Sequence, residues 1–404
     1  MSARSLSIDF DTRFPVHLAA LDAELPLVPT SNPAQIYNQC QLAMDPRSDC
    51  FCGQLGMLHW LLIIMTIPRR VSIGIPTINR SSLALRAIRS ALAQTYSDVE
   101  VIVSDDASTD DTVARVQEIQ DPRLVLVQQK ERLGLVRNFD FCLRHATGEY
   151  FLLLGDDDVL LPNAIERLVE PFLLGKTSVP AAAIGVVWCP CRIASAESSQ
   201  FWTTESGPEV ESVASLLASL FAGNRGPRLS SILLRTRDAI AVGGYEDKFG
   251  DICDIANWGR AALLREYAAC IPEPLVQYTN HLGSTTSQSA IRQWQQWARV
   301  AHRYLMASAE ASPDTTAAEK LQAAKRNFIS GITLTILIQT IGRPGWIRSA
   351  ILESLRSPGA FFTPYMCRRL LKDGRKVLTV QRHAKIHQSS RNPPADTRSA
   401  EKVS

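Results

Sequence analysis

The chain has 404 residues, 46% hydrophobic and 21% charged, with 43 Lys and Arg against 40 Asp and Glu and a net charge of +3. That length suggests two or three units with a substantial core. The ordinary, near-neutral composition excludes collagen, wholesale disorder and a strongly basic nucleic-acid binder.

Residues 1–64 read as a poorly ordered N-terminal extension, with scattered Pro, Asn and Ser and no sustained period. Their most apolar neighbourhood, Leu55–Ile67, has thirteen residues and contains His59. A membrane-spanning helix needs about 20. The stretch also lacks the basic flank and cleavage site of a signal peptide. Order begins abruptly at Met65, which is the expected natural start. From Val71 the pattern alternates strands and helices with short connections, as in an α/β parallel sheet. Strands are expected at Val71–Pro76, Val99–Ser104, Leu124–Gln128 and Tyr150–Leu154. Helices are expected at Ser81–Gln94, at Thr109–Ile119 with Asp110 and Asp111 in the first turn, at Leu135–His145 and from about Pro162. The apolar runs Val101-Ile102-Val103 and Phe151-Leu152-Leu153-Leu154 suit strands covered on both faces.

The middle carries weaker signals. Ala183–Trp188, Leu229–Arg235 and Leu275–Asn280 read as strands, Val213–Phe221 and Asp254–Leu264 as helices, and Gly243-Gly244-Tyr245 as a turn. Beyond Ser287 the pattern is helical, with Trp294, Trp297, Ala301, Tyr304 and Leu305 on one apolar face. Further helices are expected at Ile329–Ile341 and Trp346–Leu355, and the polar end from Lys385 reads as disordered. Nine cysteines make no disulfide framework. Cys50-Phe51-Cys52 and Cys189-Pro190-Cys191 have no second pair at zinc-site spacing, so reduced thiols in the cytoplasm are expected.

Two acidic clusters end strands: Asp105-Asp106 and Asp156-Asp157-Asp158. In a parallel sheet the carboxyl ends of the strands share one edge, where ligands bind. Three consecutive carboxylates need water, donors or a cation, and Mg²⁺ or Mn²⁺ suits oxygen ligands that also meet a substrate's phosphates. Taken alone, the triplet reads equally as a strand end that caps the following helix. No G-x-G-x-x-G follows a strand and no G-x-S-x-G elbow is present.

The run Val71-Ser72-Ile73-Gly74-Ile75-Pro76-Thr77-Ile78-Asn79-Arg80 resembles the opening strand of family 2 glycosyltransferases. Ser90 to Tyr96, Val103 to Asp110, Gly134 to Asn138 with Ala146 to Tyr150, and Gly155-Asp156-Asp157-Asp158 with Pro162 resemble further motifs of that family in order. The resemblance is dense over residues 68–175 and thinner to about 288. It implies a GT-A fold, a Rossmann-like, mostly parallel sheet flanked by helices with a helical C-terminal extension. It also implies sugar transfer from a nucleotide-sugar. Pro76, Thr77 and Asn79 match the loop that contacts the nucleotide. Asp106 matches the carboxylate that accepts from the base, with Asp105 beside it. Arg137 falls where a basic residue approaches the nucleotide, a surface ion pair being its other reading. Asp157 aligns with the metal-binding carboxylate, flanked by Asp156 and Asp158. Gly155 replaces the first Asp of the family's D-x-D, so a pairing of Asp156 with Asp158 stays open. Gly243-Gly244-Tyr245-Glu246 and Asp254 to Arg260 resemble the acceptor-side motifs, whose leading Asp is the general base. That Asp is Asp254, expected to face the strand-end crevice from the start of a helix that also carries Trp258 and Arg260. Cys253 stands where many members have Glu, and Asp251 is the rival base. His281-Leu282-Gly283-Ser284 resembles a motif whose His lies near metal and diphosphate.

The resemblance thus implies an inverting, metal-dependent glycosyltransferase of the hexosyltransferase type. Its donor would be a UDP- or dTDP-sugar and its acceptor a glycan or lipid-linked hydroxyl in cell-surface polysaccharide or glycolipid synthesis. The expected organisation is 65–175 for the nucleotide-sugar half, 176–288 for the acceptor half, 289–384 for a helical region and 385–404 for the tail. A nucleotidyltransferase is the competing enzyme reading, although the Thr77–Ser81 loop lacks a glycine. A non-catalytic nucleotide-sugar binder is the other alternative. Cys367–Ser404 carries ten Lys and Arg against three Asp and Glu, about +7, leaving about −4 elsewhere. With the apolar residues near Trp346 and Phe361-Phe362, this predicts peripheral contact with anionic lipid at the inner face of the cell membrane. Vesicle flotation checks it: the full chain should float with anionic vesicles at low salt and be released by added salt. Failure to float would leave the tail a solvated arm.

Overall fold

The computed structural model describes residues 69–340, apart from 177–178, 196–197, 223 and 281–290. The expected N-terminal extension, Met65, His281, the helix at Trp346 and the basic tail lie outside the described residues. Among the described residues, no helix is long and apolar enough to cross a membrane.

The strands are β1 (Val71–Thr77), β2 (Val99–Asp105), β3 (Leu124–Gln128), β4 (Tyr150–Leu153), β5 (Val159–Leu160), β6 (Ile184–Trp188), β7 (Cys191–Ser195), β8 (Ser198–Thr203), β9 (Val210–Ser212), β10 (Ile232–Arg235), β11 (Tyr267–Cys270) and β12 (Val276–Asn280). They form an eight-stranded sheet in the order β3-β2-β1-β4-β10-β6-β11-β9 and a four-stranded sheet in the order β5-β12-β7-β8. The main sheet is parallel through β3, β2, β1 and β4 and turns antiparallel at β10. The helices are α1 (Ser81–Leu92), α2 (Thr112–Gln117), α3 (Leu135–Arg144), α4 (Ala164–Leu174), α5 (Val213–Phe221), α6 (Thr236–Ala241), α7 (Cys253–Leu263), α8 (Ile291–Glu310) and α9 (Ala317–Thr340). This is the helix-flanked α/β architecture that the resemblance implied, with its helical C-terminal extension.

Burial on both faces explains the continuous apolar strands. On one face Ile73, Ile75, Val101, Val103 and Leu152 meet Ala84, Ala87 and Ile88 of α1 and Leu168 and Phe172 of α4. On the other, Phe151, Leu153, Val186 and Leu234 join a core with α3, α5 and α7, closed by α8 and α9. Gly74 lets α3 approach β1, because a Cβ there would lie 2.7 Å from the Cys142 Cβ. At the amino ends of the strands, Glu100 accepts from the Ser72 hydroxyl, from Thr147 N–H (2.7 Å) and hydroxyl (2.8 Å), and from Gly148 N–H. Burial works to raise its carboxyl, but these donors hold it below the ordinary value. The Ala146-Thr147-Gly148 motif therefore serves as a staple at the edge away from the acidic clusters.

Several expectations need correction. Asp110 and Asp111 precede α2 instead of filling its first turn. The Asp110 carboxylate accepts from the Thr112 N–H (3.0 Å) and hydroxyl, a local turn that delays the helix. Leu229–Ser231 is a 3₁₀ turn and not part of a strand, since Ser231 bonds back to the Arg228 carbonyl. The strands β5, β7, β8, β9 and β11 were not expected, being short and without clear alternation. The helix expected at Ile329–Ile341 begins at Ala317, well before Ile329. Trp258 is buried in the core. Arg260, on the same helix, donates to the Ala256 carbonyl (2.7 Å) and to Glu246 (3.1 Å) and lies over the Phe249 ring.

The C-terminal helices also set the entry to α7. Trp294 is buried and meets Trp297 edge-on, at 6.4 Å between ring centroids. Trp297 covers Gly250, where φ is +50° and a Cβ would fall 1.9 Å from the indole. Only glycine fits both constraints. Gly250→Ala is therefore expected to cost about 2–5 kcal/mol through backbone strain and overpacking. Urea denaturation checks this, and an unchanged midpoint would contradict the packing described.

Candidate active site

The carboxyl ends of β1, β2 and β4 share one edge because the three strands are parallel and in register, Thr77 opposite Asp105 and Gly74 opposite Leu153. The loops that leave them bind each other. Asn79, held at φ +51°, accepts through its side chain from the Thr109 N–H (2.7 Å) and donates its own N–H to the Ser108 hydroxyl (2.8 Å). Asp105 is fully buried and accepts from the Ser108 N–H (2.9 Å) and hydroxyl. Asp106, nearly as buried, accepts from the N–H groups of Leu133 (2.5 Å) and Gly134 (3.1 Å), with Arg132 at 3.9 Å. Pro76 and Thr77 are buried at the end of β1. Pro76, Thr77, Asn79, Asp105 and Asp106 thus belong to one connected edge.

The triplet after β4 is divided among partners. Asp156 accepts from the Thr77 hydroxyl (2.9 Å) and from Arg80 (3.1 Å). Burial pushes its carboxyl up to about 6, against the pull of Arg80. Asp157, more open, lies 3.5 Å from Arg80, and its carbonyl accepts from Arg86 (2.7 Å). Asp158 accepts from the Ser230 hydroxyl (2.5 Å) and from the Thr279 N–H (2.9 Å). Burial, and then the neighbouring Asp157, push its carboxyl up to about 7. Gly155 belongs to the same turn: its N–H donates to Ser230 (3.0 Å), and a Cβ there would sit 2.9 Å from an Asp157 oxygen. A side chain in place of Gly155 would crowd the Asp157 carboxylate.

These oxygens are the right type for a hard cation, but among the described residues no three His, Cys, Asp or Glu side chains gather as a ready-made cage. Mg²⁺ is commonly held by one or two carboxylates plus substrate phosphates, and Asp157 with one neighbour fits that smaller requirement.

Asp254 lies in the first turn of α7, half-buried. Burial pushes its carboxyl up to about 6, against hydrogen bonding from the Ile255 N–H and the charge of Arg228. The Arg228 guanidinium stands 5.7 Å over the Tyr278 ring, and the charges of Asp158 and Asp157 act on the same phenol. Asp254, Arg228, Tyr278 and the triplet therefore line one region. Arg137 instead pairs with Asp247 (2.8 Å) on an exposed surface. Asp251 precedes α7 in the Asp247–Ile252 turn.

Sequence reasoning assigned no role to Arg80, Arg86, Arg228, Ser230 or Thr279. Arg80 sits inside a motif that was recognised, so its position carried a signal. Ser230 and Thr279 reach Asp158 across 72 and 121 residues, with no local pattern to show it.

Residues 72–188 match the family model described as Glycosyl transferase family 2. An uncharacterized protein of Mycobacterium tuberculosis (strain CDC 1551 / Oshkosh) is 27% identical over 222 residues, covering 51% of this chain and 65% of its own. The GalNAc(5)-diNAcBac-PP-undecaprenol beta-1,3-glucosyltransferase of Campylobacter jejuni is 39% identical over 104 residues, covering 25% of this chain and 34% of its own. The crystal structure of S. aureus TarS 1-349 in complex with UDP-GlcNAc overlays with a TM-score of 0.49 at 17% identity, covering 71% of this chain and 77% of that one. Over residues 72–188 the chain is similar to a family 2 glycosyltransferase domain. It spans less than two thirds of the length of the mycobacterial relative and about a third of the Campylobacter one.

Proposed function

We propose that the chain transfers a sugar from a nucleotide-sugar, a UDP- or dTDP-sugar, to a hydroxyl of a glycan or lipid-linked acceptor, with inversion at the anomeric carbon. The family 2 domain supports the donor class. Two relatives support a lipid-linked acceptor: the Campylobacter jejuni enzyme, and the Escherichia coli UDP-Glc:alpha-D-GlcNAc-diphosphoundecaprenol beta-1,3-glucosyltransferase WfgD, 32% identical over 108 residues. Residues 65–175 take the nucleotide-sugar and residues 176–288 the acceptor. The basic tail keeps the chain at a membrane surface where such acceptors reside.

The observation that carries this reading is Asp254. A general base must be ionised at neutral pH and still accept a proton, which a carboxyl near 6 achieves. Its place at the amino end of α7 favours the ionised form through the helix dipole. The loop of Pro76, Thr77 and Asn79, with Asp105 and Asp106 behind it, receives the nucleoside. The acceptor hydroxyl gives its proton to Asp254 as its oxygen bonds to the anomeric carbon. The bond from that carbon to the phosphate oxygen breaks, and its electron pair leaves with the nucleoside diphosphate. Mg²⁺ or Mn²⁺, held by Asp157 with Asp156 or Asp158 and, as the motif resemblance implies, with His281, would supply positive charge at the diphosphate.

Asp254→Asn is expected to keep donor binding and to lose turnover by roughly 10²–10⁴-fold, while Asp251→Asn stays mild. Because the Asp254 carboxyl is raised, its base form is lost as pH falls through about 6. The wild-type rate should therefore drop about tenfold per pH unit below that point. Steady-state transfer assays over pH 4.5–8 check both. A mild Asp254→Asn beside a dead Asp251→Asn would transfer the role to Asp251, and two mild variants would remove the mechanism.

A further inference from the structure

We propose that Arg228 binds the diphosphate of the donor and takes up the charge of the departing nucleoside diphosphate, an assignment that rests on the nucleotide-sugar reading above. Arg228 sits immediately before the Leu229–Ser231 turn. Its N–H donates to the Ser231 hydroxyl oxygen (3.0 Å), and its carbonyl accepts from the Ser231 hydroxyl (2.9 Å) and N–H (2.9 Å). Within the same turn, Ser230 donates to Asp158 and accepts from the Gly155 N–H. The Arg228 backbone is thereby tied to the triplet.

Its side chain is not held by a carboxylate, unlike several other arginines around the site. Arg80 pairs with Asp156 and Asp157, Arg137 with Asp247, and Arg260 with Glu246. The exposed Arg228 has no carboxylate within ion-pair distance among the described residues, and its guanidinium rests over Tyr278. Stacking on a ring steers a guanidinium without using its N–H donors. The charge of Arg228 acts on Asp254 and, together with the charges of Asp158 and Asp157, on Tyr278, so the guanidinium lies between the base and the triplet's neighbourhood. An exposed, unpaired, pre-oriented fork beside a base is suited to a dianionic group.

The reaction gives that position its use. When the bond between the anomeric carbon and the phosphate oxygen breaks, the electron pair stays on the phosphate, and the diphosphate gains one negative charge. The acceptor's proton goes to Asp254, so it does not neutralise that gain. A fixed guanidinium at the phosphate stabilises charge that develops only as the bond breaks.

The test compares the full-length wild type with Arg228→Met by calorimetric titration at constant Mn²⁺. The probes are UDP, dTDP, GDP and ADP, each with its matched monophosphate. The wild type should prefer one diphosphate over its monophosphate. Arg228→Met should weaken that diphosphate by roughly 10–100-fold and leave the monophosphate unchanged. Arg228→Lys, which keeps the charge but not the fork, should fall between. An Arg228→Met protein with the wild-type diphosphate preference overturns this assignment and leaves the nucleotide-sugar reading intact. A wild type that binds none of the diphosphates overturns both. Thermal melting verifies that each variant is folded, and Arg228→Gln is the second neutral replacement should Arg228→Met fail to fold.

Discussion

Three adjacent carboxylates at the end of β4 must each find a partner as the chain folds, because a buried charge left alone costs several kcal/mol. The partners come from opposite parts of the chain. Thr77 and Arg80, from the first strand and its loop, serve Asp156, and Arg80 also reaches Asp157. Ser230 and Thr279, from the second half, serve Asp158. Satisfying the triplet therefore joins the strands expected to hold the nucleotide to the turn and strand expected to face the acceptor. Two carboxyls of the triplet remain raised despite these partners, which is the electrostatic state that a cation or a positively charged side chain relieves.

Several of the recognisable motifs serve the scaffold. Ala146-Thr147-Gly148 closes a hydrogen-bonded staple around Glu100, and Gly148 is small because a Cβ would meet the Arg70 carbonyl at 2.6 Å. Glu246 and Arg260, each inside an acceptor-side motif, hold each other under Phe249 and Tyr304. Asp157, Asp254 and Arg228 stand close enough for their charges to act on one another's neighbours.

Much of the first half of the fold was legible because β1, β2 and β4 are apolar runs buried on both faces, and β1 and β3 lead into amphipathic helices. The match of Val71–Pro76 to Val71–Thr77 follows from that burial, whereas Leu124–Gln128, a half-exposed edge strand, was marked only by its run of Leu and Val. The second half was less legible for a physical reason. Strands such as Val159–Leu160 and Val210–Ser212 are defined by their partners across the sheet, and two or three residues carry no period of their own. The acidic clusters were visible as strand ends, but their partners were not. Hydrogen bonds from Ser230 and Thr279 depend on tertiary closure, and Arg228 follows Gly226-Pro227 in a connection with no periodic signal. Arg137 could be read locally as near the nucleotide or as a surface ion pair, and it pairs with Asp247.

The central claim is that the edge shared by Asp106, the triplet and Asp254 receives a nucleoside diphosphate together with a divalent cation. The most direct measurement is a crystal structure of the full chain grown with its preferred nucleoside diphosphate and Mn²⁺, with data collected for manganese anomalous scattering. The account predicts one manganese peak bridging Asp157 and the diphosphate, with the base against the Asp106 loop and Arg228 on the phosphates. A nucleotide bound away from this edge, or a manganese coordinated without any carboxylate of the triplet, would contradict it.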